Sequence, residues 1–451
     1  MVATSNKSES QRVSLGDLYK RSSAFEVLGV PPRLHEYPKP QHIPDFTFNQ
    51  LRGPEPVEGK KLRKYEVNVP LTSSFKDLGI KLPQGVQDIS IKDALHLDMQ
   101  AVTLTVWSEN PLQLRNGDLS SLSTILQQKE PPILTSFFAS GFLANSEQLD
   151  RQNSFVETLS KSFHENDLRH TQFSNIIVGI SCPGFSGSET DNPPNKDSIG
   201  VERYSHLLKA LMVTLQPKKT ALIGHSAGGA AALLLQHQIN EIDKETDPYM
   251  YELLRKTASL RHSISALHPA INSSVAKQFI AMKDLNQLKY MFHVDMESLE
   301  QMKKKIGLLK SLPEDILTRI VVKWALGFNP FATGTKDQED QVTLHCDEFN
   351  RHPHAGYAKL DDLKLPQKHG QETGIKTLII TGSEDRITPL LQILQGFELI
   401  GEKERKVTQR MIQDAEGILD VAKTGHDDIF MYPSVARAYA DRIAQLMVNI
   451  L

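Results

Sequence analysis

The sequence is poor in cysteine and has no long apolar run. Only two of its 451 residues are cysteines, Cys182 and Cys346. This number excludes a disulfide framework and favours a reducing, intracellular setting. No apolar run approaches the length that crosses a bilayer, and the first residues are polar, without an apolar signal segment. These absences predict a cytoplasmic protein with no transmembrane segment.

A strong charge of either sign is also missing. The formal net charge is -3, with 23% charged and 39% hydrophobic residues. Such a balance is that of an ordinary globular protein and gives no reason to expect nucleic acid or an anionic membrane as a partner. The composition leaves the oligomeric state open.

Short apolar segments alternate with amphipathic ones along much of the chain. This alternation predicts an α/β fold with a mostly parallel sheet and helices on both of its faces. The segments expected to form strands are 64–71, 101–107, 131–138, 175–180, 221–224, 264–267, 376–380 and 417–421. The main segments expected to form helices beside them are 147–163, 199–215, 228–238 and 434–447.

Two parts of the chain depart from this alternation. Residues 1–60 are polar at first and then proline-punctuated, so they are expected to form an N-terminal extension, which serves either as a structural arm or as a regulatory or partner-binding arm. Residues 273–375 show helical periodicity only and predict an inserted helical cap. The core of the fold is then expected to comprise residues 61–272 and 376–451.

One serine lies in a setting typical of a nucleophile. Ser226 is the centre of a Gly-x-Ser-x-Gly pattern that runs from Gly224 to Gly228, after an apolar segment and before a small-residue helix. Small neighbours allow the strand and the helix to approach closely at a sharp turn, which pushes the serine hydroxyl outward. The helix N-terminus at that point favours developing negative charge.

A serine nucleophile requires a base, and the base requires a group that fixes its tautomer. Two later segments follow strand candidates and supply such residues: one contains Glu384 and Asp385, and the other contains His426. The C-terminal ends of parallel strands share one edge of the sheet, so these residues can converge. Asp427 and Asp428 follow the histidine, and either one is also suited to cap the next helix.

These three motifs, in this order, resemble those of the α/β-hydrolase superfamily, in its capped, serine-nucleophile branch of lipases, esterases and related acyl hydrolases. The resemblance covers roughly residues 64 to 451. It implies Ser226 as the nucleophile, His426 as the general base and Asp385 as its acidic partner. It also implies an oxyanion hole formed by the backbone N–H groups of Ala227 and Phe142.

The chain departs from the family pattern at the oxyanion loop, where Ser140 and Gly141 stand in place of the usual His-Gly. Together with His225 and His268, these two residues are expected to contribute to the substrate site. For His225, packing beneath the serine turn is the alternative. The resemblance implies no metal and no organic cofactor.

The expected reaction is hydrolysis of an ester through an acyl-enzyme on Ser226. The partner would be a small-molecule acyl compound, with lipids and other apolar acyl groups among the candidates. Hydrolysis of a thioester, an amide or a carbon–carbon bond is an alternative within the same fold. A non-catalytic protein that binds a ligand or partner is the second alternative.

Overall fold

An eight-stranded sheet forms the centre of the structure, which is a computed structural model. The described residues, with short gaps, fall within 62–112, 119–127, 133–150, 155–166, 173–188, 200–241, 261–270, 376–393 and 419–448, together with Pro313 and Ile316. Among them, no helix has the length and apolar character needed to cross a membrane.

The order of the strands across the sheet is β1-β2-β4-β3-β5-β6-β7-β8. Strands β1, β2 and β4 pair antiparallel in succession, and every pair from β4 and β3 to β7 and β8 is parallel. The prediction of a mostly parallel sheet is therefore confirmed. The strands are β1 (Arg63–Pro70), β2 (Ala101–Ser108), β3 (Ile133–Ala139), β4 (Ser174–Ile180), β5 (Lys219–His225), β6 (Arg261–Leu267), β7 (Lys376–Gly382) and β8 (Leu419–Ala422).

Seven α-helices accompany these strands in the described part of the chain. They are α1 (Ile91–Ala94), α2 (Leu119–Leu126), α3 (Phe155–Glu165), α4 (Val201–Leu215), α5 (Ala227–Glu241), α6 (Asp428–Met431) and α7 (Pro433–Val448). The segment 147–163 was expected to form one helix, but it holds a 3-10 turn at Ser146–Asp150 and only then α3. Helices α1 and α6 have four residues each, too few for the helical period to show in the sequence.

Both faces of the sheet are buried. Phe138, Ile177 and Ile380 belong to one apolar cluster with residues of α3 and α7. Their neighbours along the strands, such as Phe137 and Ile379, point to the opposite face because side chains alternate in a strand, and they are buried as well. Helix α5 packs against β5 and β6 of the sheet and also against α4. This double cover explains why the parallel strands are apolar almost throughout.

The chain leaves the sheet after β6 and returns at β7, its direct neighbour. The predicted cap, 273–375, falls in this interval and, apart from Pro313 and Ile316, lies outside the described residues. The predicted N-terminal extension, 1–60, also lies outside them. The connection leaves the sheet at the C-terminal end of β6, beside the end of β5 that leads to Ser226, and rejoins the sheet at the start of β7.

Candidate active site

Ser226 occupies a strained turn between β5 and α5. Its φ of 53° lies in the left-handed region, which non-glycine residues seldom adopt. Its N–H donates to the carbonyl of Leu267 over 2.9 Å, and its carbonyl accepts from the N–H groups of Ala230 and Ala270, at 3.0 Å each. Three backbone hydrogen bonds thus hold the turn, and strain held in this way is typical of functional sites.

Close packing at this turn requires glycine at position 228. A Cβ atom placed there would come within 2.2 Å of the backbone oxygen of Ala139, at the end of β3. Backbone atoms cannot move aside as the end of a flexible side chain can, so any larger residue would separate α5 from the sheet. The glycine that the sequence pattern singled out therefore sets the depth at which Ser226 sits.

Asp385 follows β7 and is completely buried. Its Oδ1 accepts from the backbone N–H groups of Ile387 (2.8 Å) and Thr388 (2.7 Å). Its Oδ2 accepts from the hydroxyl of Thr388 (2.6 Å) and from Nδ1 of His426 (2.8 Å). Burial alone would raise the pKa of Asp385, but His426 and the hydrogen-bond donors outweigh it and hold the pKa well below its usual range. Asp385 is therefore an anion at neutral pH.

His426 lies in the loop after β8, with its ring almost fully buried. Burial would lower the pKa of its imidazole, but the charge of Asp385 outweighs this effect, and the net result is a raised pKa. Since Nδ1 donates to Asp385, Nε2 is the ring nitrogen able to act as a base. Among the described residues, no hydrogen bond joins the Ser226 hydroxyl to His426. Such catalytic contacts are often long before substrate binds.

His225 connects the serine turn with the histidine loop. Its Nε2 donates to the backbone carbonyl of His426 over 2.9 Å, and its ring packs edge-on against Phe430. Its Nδ1 is buried and has no hydrogen-bond partner among the described residues. Burial, reinforced by the neighbouring imidazoles of His426 and His268, lowers the pKa of His225 far below its ordinary value. His225 is therefore a neutral side chain packed beneath the turn.

His268 is the second imidazole on Asp385. It follows β6, has a φ of 47° and is fully buried. Its Nδ1 lies 2.7 Å from Oδ2 of Asp385, and its Nε2 lies 2.9 Å from the hydroxyl of Tyr439. The sequence marked His268 as a pocket residue but gave no sign of either contact. Tyr439 lies in α7, far along the chain, where no motif marks it.

The loop that was predicted to contribute to an oxyanion hole is described only in part. Ala227 is the first residue of α5, where backbone N–H groups have no acceptor within the helix. A Cβ atom on Gly141 would lie 3.2 Å from Cβ of Ser226 and 3.2 Å from Nδ1 of His225, so this loop passes directly beside the serine. The hydroxyl of Ser140 is buried. Phe142, the second predicted donor, lies outside the described residues.

His268, Asp385 and His426 have the residue types of a metal site and donor atoms within 4.8 Å of one another. The two nitrogen–oxygen distances are 2.7 and 2.8 Å. Two ligands of a tetrahedral zinc ion at ordinary bond lengths would stand about 3.3 Å apart. The observed spacing is that of direct hydrogen bonds to one oxygen.

Asp427 and Asp428, the alternatives weighed beside His426, are both buried. Asp427 precedes α6 without a capping hydrogen bond from its side chain, and it lies 3.8 Å from Nε2 of His225. Asp428 accepts from the N–H of Gly425 over 2.6 Å. Burial raises the pKa of Asp427 to about 6 and that of Asp428 to about 7. Neither carboxylate hydrogen-bonds to the His426 ring.

Asp428→Asn is expected to change how stability depends on pH. Because the pKa of Asp428 is higher in the folded than in the unfolded state, its contribution to stability falls as pH rises from about 4 to about 7. An asparagine oxygen can keep the bond from Gly425 without the buried charge. The variant should be more stable than wild type by about 1 kcal/mol or more at pH 8, and the difference should shrink at pH 5. Urea unfolding at both pH values measures it, and an equal difference at both would contradict the prediction.

Known proteins offer distant likenesses. No protein-family model matches the sequence, and no curated protein matches it. The structure is similar to the peroxisomal α/β-hydrolase Lpx1 of Saccharomyces cerevisiae, at 11% identity and a TM-score of 0.42, over 86% of this chain and 90% of that one. It is similar to 2-hydroxy-6-oxo-6-phenylhexa-2,4-dienoate hydrolase from Rhodococcus sp. strain RHA1, at 13% identity and a TM-score of 0.41, over 85% and 99%.

A third likeness is to brefeldin A esterase, a bacterial homologue of human hormone-sensitive lipase, at 11% identity and a TM-score of 0.38, over 99% of this chain and 89% of that one. Identities this low say nothing about reaction or substrate.

The architecture of the chain itself decides its fold. A mostly parallel sheet carries helices on both faces, and a serine stands on the strained turn between β5 and α5. Asp385 and His426 follow later strands of the same sheet, in the chain order serine, acid, histidine. The protein has the α/β-hydrolase fold.

Proposed function

We propose that the protein is a serine hydrolase that cleaves an ester through an acyl-enzyme on Ser226. The observation that carries the proposal is the hydrogen bond from His426 Nδ1 to Asp385, at the same sheet edge as Ser226. It fixes the imidazole in the tautomer whose Nε2 can take a proton. No cofactor is required for this chemistry.

The proposed reaction has two stages. In the first, Nε2 of His426 takes the proton of the Ser226 hydroxyl while Oγ attacks the acyl carbon, and the protonated His426 then gives this proton to the departing alcohol. In the second, His426 removes a proton from water as the water oxygen attacks the acyl carbon, and His426 then gives that proton to Oγ of Ser226 as the bond between Oγ and the acyl carbon breaks and the acid leaves. Asp385 remains an anion throughout and stabilises the imidazolium.

Stabilisation of the oxyanion is proposed to come from two backbone N–H groups. One belongs to Ala227, at the N-terminus of α5, where the helix favours negative charge. The other would come from the loop after β3, which begins with Ser140 and Gly141 and passes beside Ser226. We propose the N–H of Phe142 as this donor, as the resemblance implies. A backbone donor does not depend on the usual His-Gly pair being present.

A matched series of substrates tests the proposed bond specificity. One acyl group, short and then long, is offered as an ester, a thioester and an amide, and kcat/KM is compared. We expect the ester to be cleaved more efficiently than the amide, because an alcohol leaves more readily than an amine. A thioester that is cleaved more efficiently than the matched ester would favour the thioester alternative. A long acyl chain that is preferred over a short one would support a lipid-like substrate.

The pH dependence of the same assay provides an independent check. His426 must be neutral to act as a base, and its pKa is raised. Activity should therefore fall as pH drops, with a midpoint above the ordinary histidine value of about 6.5. Folded protein that turns over no acyl compound at any pH would overturn the proposal and favour a non-catalytic binding role.

A further inference from the structure

His268 stands between the two proposed catalytic strand ends. Strand β6 lies between β5, which leads to Ser226, and β7, which leads to Asp385. The N–H of His268 donates to the carbonyl of Ile380 in β7 over 2.6 Å, and the N–H of Ser226 donates to Leu267, the residue before His268. The backbone of this histidine is thus tied to both neighbours.

The His268 backbone is strained, as that of Ser226 is. Both residues have positive φ, 47° and 53°, at the ends of adjacent parallel strands. Such strain persists only where surrounding contacts over-determine it, and it clusters at functional sites. A fully buried histidine in this conformation needs an explanation beyond packing.

The donor and the acceptor can be assigned in each hydrogen bond of the His268 side chain. Oδ2 of Asp385 lies 2.7 Å from Nδ1 of His268 and 2.8 Å from Nδ1 of His426. Because a carboxylate oxygen only accepts hydrogen bonds, both Nδ1 atoms carry protons. In neutral His268, Nε2 must then accept from the hydroxyl of Tyr439, whose oxygen lies 2.7 Å from the Thr424 hydroxyl. The rings of His268 and Tyr439 are nearly parallel, with an angle of 7° between their planes.

The two imidazoles on Asp385 differ in how readily each takes up a proton. Burial lowers the pKa of His268, and the hydrogen bond to Asp385 does not fully offset it. The pKa of His426 is raised instead. At neutral pH, His268 is therefore a neutral donor, whereas His426 is the imidazole that can take up a proton.

We propose that His268 is a positioning residue, which holds the Asp385 carboxylate for His426 and limits how strongly that carboxylate stabilises protonated His426. This proposal rests on the proposed function. By donating to the same oxygen, His268 competes with His426 for the negative charge. Without it, the carboxylate would bind the His426 proton more tightly, and a higher pH would be needed to free the base. We propose this role in place of the pocket-lining role that the sequence indicated, since protein groups meet both ring nitrogens.

Two substitutions at position 268 separate the donor from the packing. Asparagine and glycine both tolerate positive φ, but only asparagine can place an N–H near the position of Nδ1. We expect His268→Gly to slow labelling of Ser226 by a fluorophosphonate by about 10- to 100-fold, the size of loss that follows removal of the hydrogen-bond partner of a metal-ligating side chain. The pH midpoint of labelling should move upward. His268→Asn should recover most of the rate and return the midpoint towards that of wild type.

Among the described residues, the charged and titratable groups around the Asp385–His426 pair are His225 after β5, His268 after β6, Glu384 beside Asp385, Asp427 and Asp428 after β8, and Tyr439 in α7. Only His268 changes in these variants, so a shifted midpoint is attributable to it. Tyr439→Phe removes the donor to Nε2 and keeps the contact to Asp385. We expect a smaller upward shift in this variant than in His268→Gly.

Proton NMR tests the arrangement without any activity. Two imidazole N–H protons on one buried carboxylate should give two downfield signals in wild type, and His268→Asn should remove one and keep the other. A single downfield signal in wild type would overturn the inference. So would folded His268→Gly that labels at the wild-type rate with an unchanged midpoint. Failure of the wild type itself to label, with both signals present, would instead count against the proposed function.

Discussion

Ser226→Ala is expected to lower kcat for ester hydrolysis by roughly 10⁴-fold or more. The substitution removes the hydroxyl that we propose as the nucleophile. The protein should still fold, because the three hydrogen bonds that hold the turn come from the backbone and persist in alanine. KM should change little, since the hydroxyl contributes to the reaction rather than to binding. Steady-state kinetics on an activated ester, with circular dichroism to confirm folding, measures the effect.

Ser136→Ala is the matched control for this experiment. Ser136 is a buried serine in β3 whose hydroxyl has no hydrogen-bond partner among the described residues. Its replacement removes the same oxygen from the same sheet without affecting the proposed chemistry. We expect kcat within about twofold of wild type, as for a mild substitution away from the site. An equal loss in both variants would mean that the serine effect reflects general damage to the sheet.

Asp385→Asn is expected to lower kcat by about 10⁴-fold. The amide offers one accepting oxygen, for which both imidazoles and the Thr388 hydroxyl then compete. His426 can then turn its other tautomer towards the amide N–H, which leaves no lone pair on Nε2 for the serine proton. Since the pKa of Asp385 is held well below its usual range, its charge stabilises the fold above about pH 4. The variant should therefore also lose free energy of unfolding at pH 7, and less of it at pH 3.

Glu384→Gln distinguishes the two acids that the sequence left open. Glu384 is the neighbour of Asp385 but is only half-buried, and its N–H donates to the carbonyl of Thr424. We expect this variant to keep wild-type kcat and the wild-type pH midpoint. A loss in Glu384→Gln that equals the loss in Asp385→Asn would reassign the acid.

The local parts of the fold could be predicted from the sequence. Strands such as β5 and β7 are buried on both faces and therefore appear in the sequence as continuous apolar runs, bounded by more polar segments. Gly228 allows α5 to approach the end of β3 more closely than a Cβ atom would permit. A five-residue pattern in the sequence is enough to indicate this requirement. Short elements were missed, such as α6, because four residues carry no period.

The parts of the candidate site that depend on contacts between distant segments could not be predicted. His268 hydrogen-bonds to the Asp385 carboxylate and to the Tyr439 hydroxyl. These two partners lie 117 and 171 residues further along the chain. No local pattern encodes such a meeting. The sequence indicated only that His268 directly follows a predicted strand. Many residues without a catalytic role have the same position.

Peptide mass spectrometry after fluorophosphonate labelling tests the central claim most directly. The folded protein is treated with the probe at a pH above the midpoint expected for His426 and then digested, and the modified residue is mapped. The proposed chemistry predicts one adduct, on Ser226, which disappears in Ser226→Ala and forms far more slowly in Asp385→Asn. Folded wild type without an adduct, or with the adduct on another serine, would contradict it.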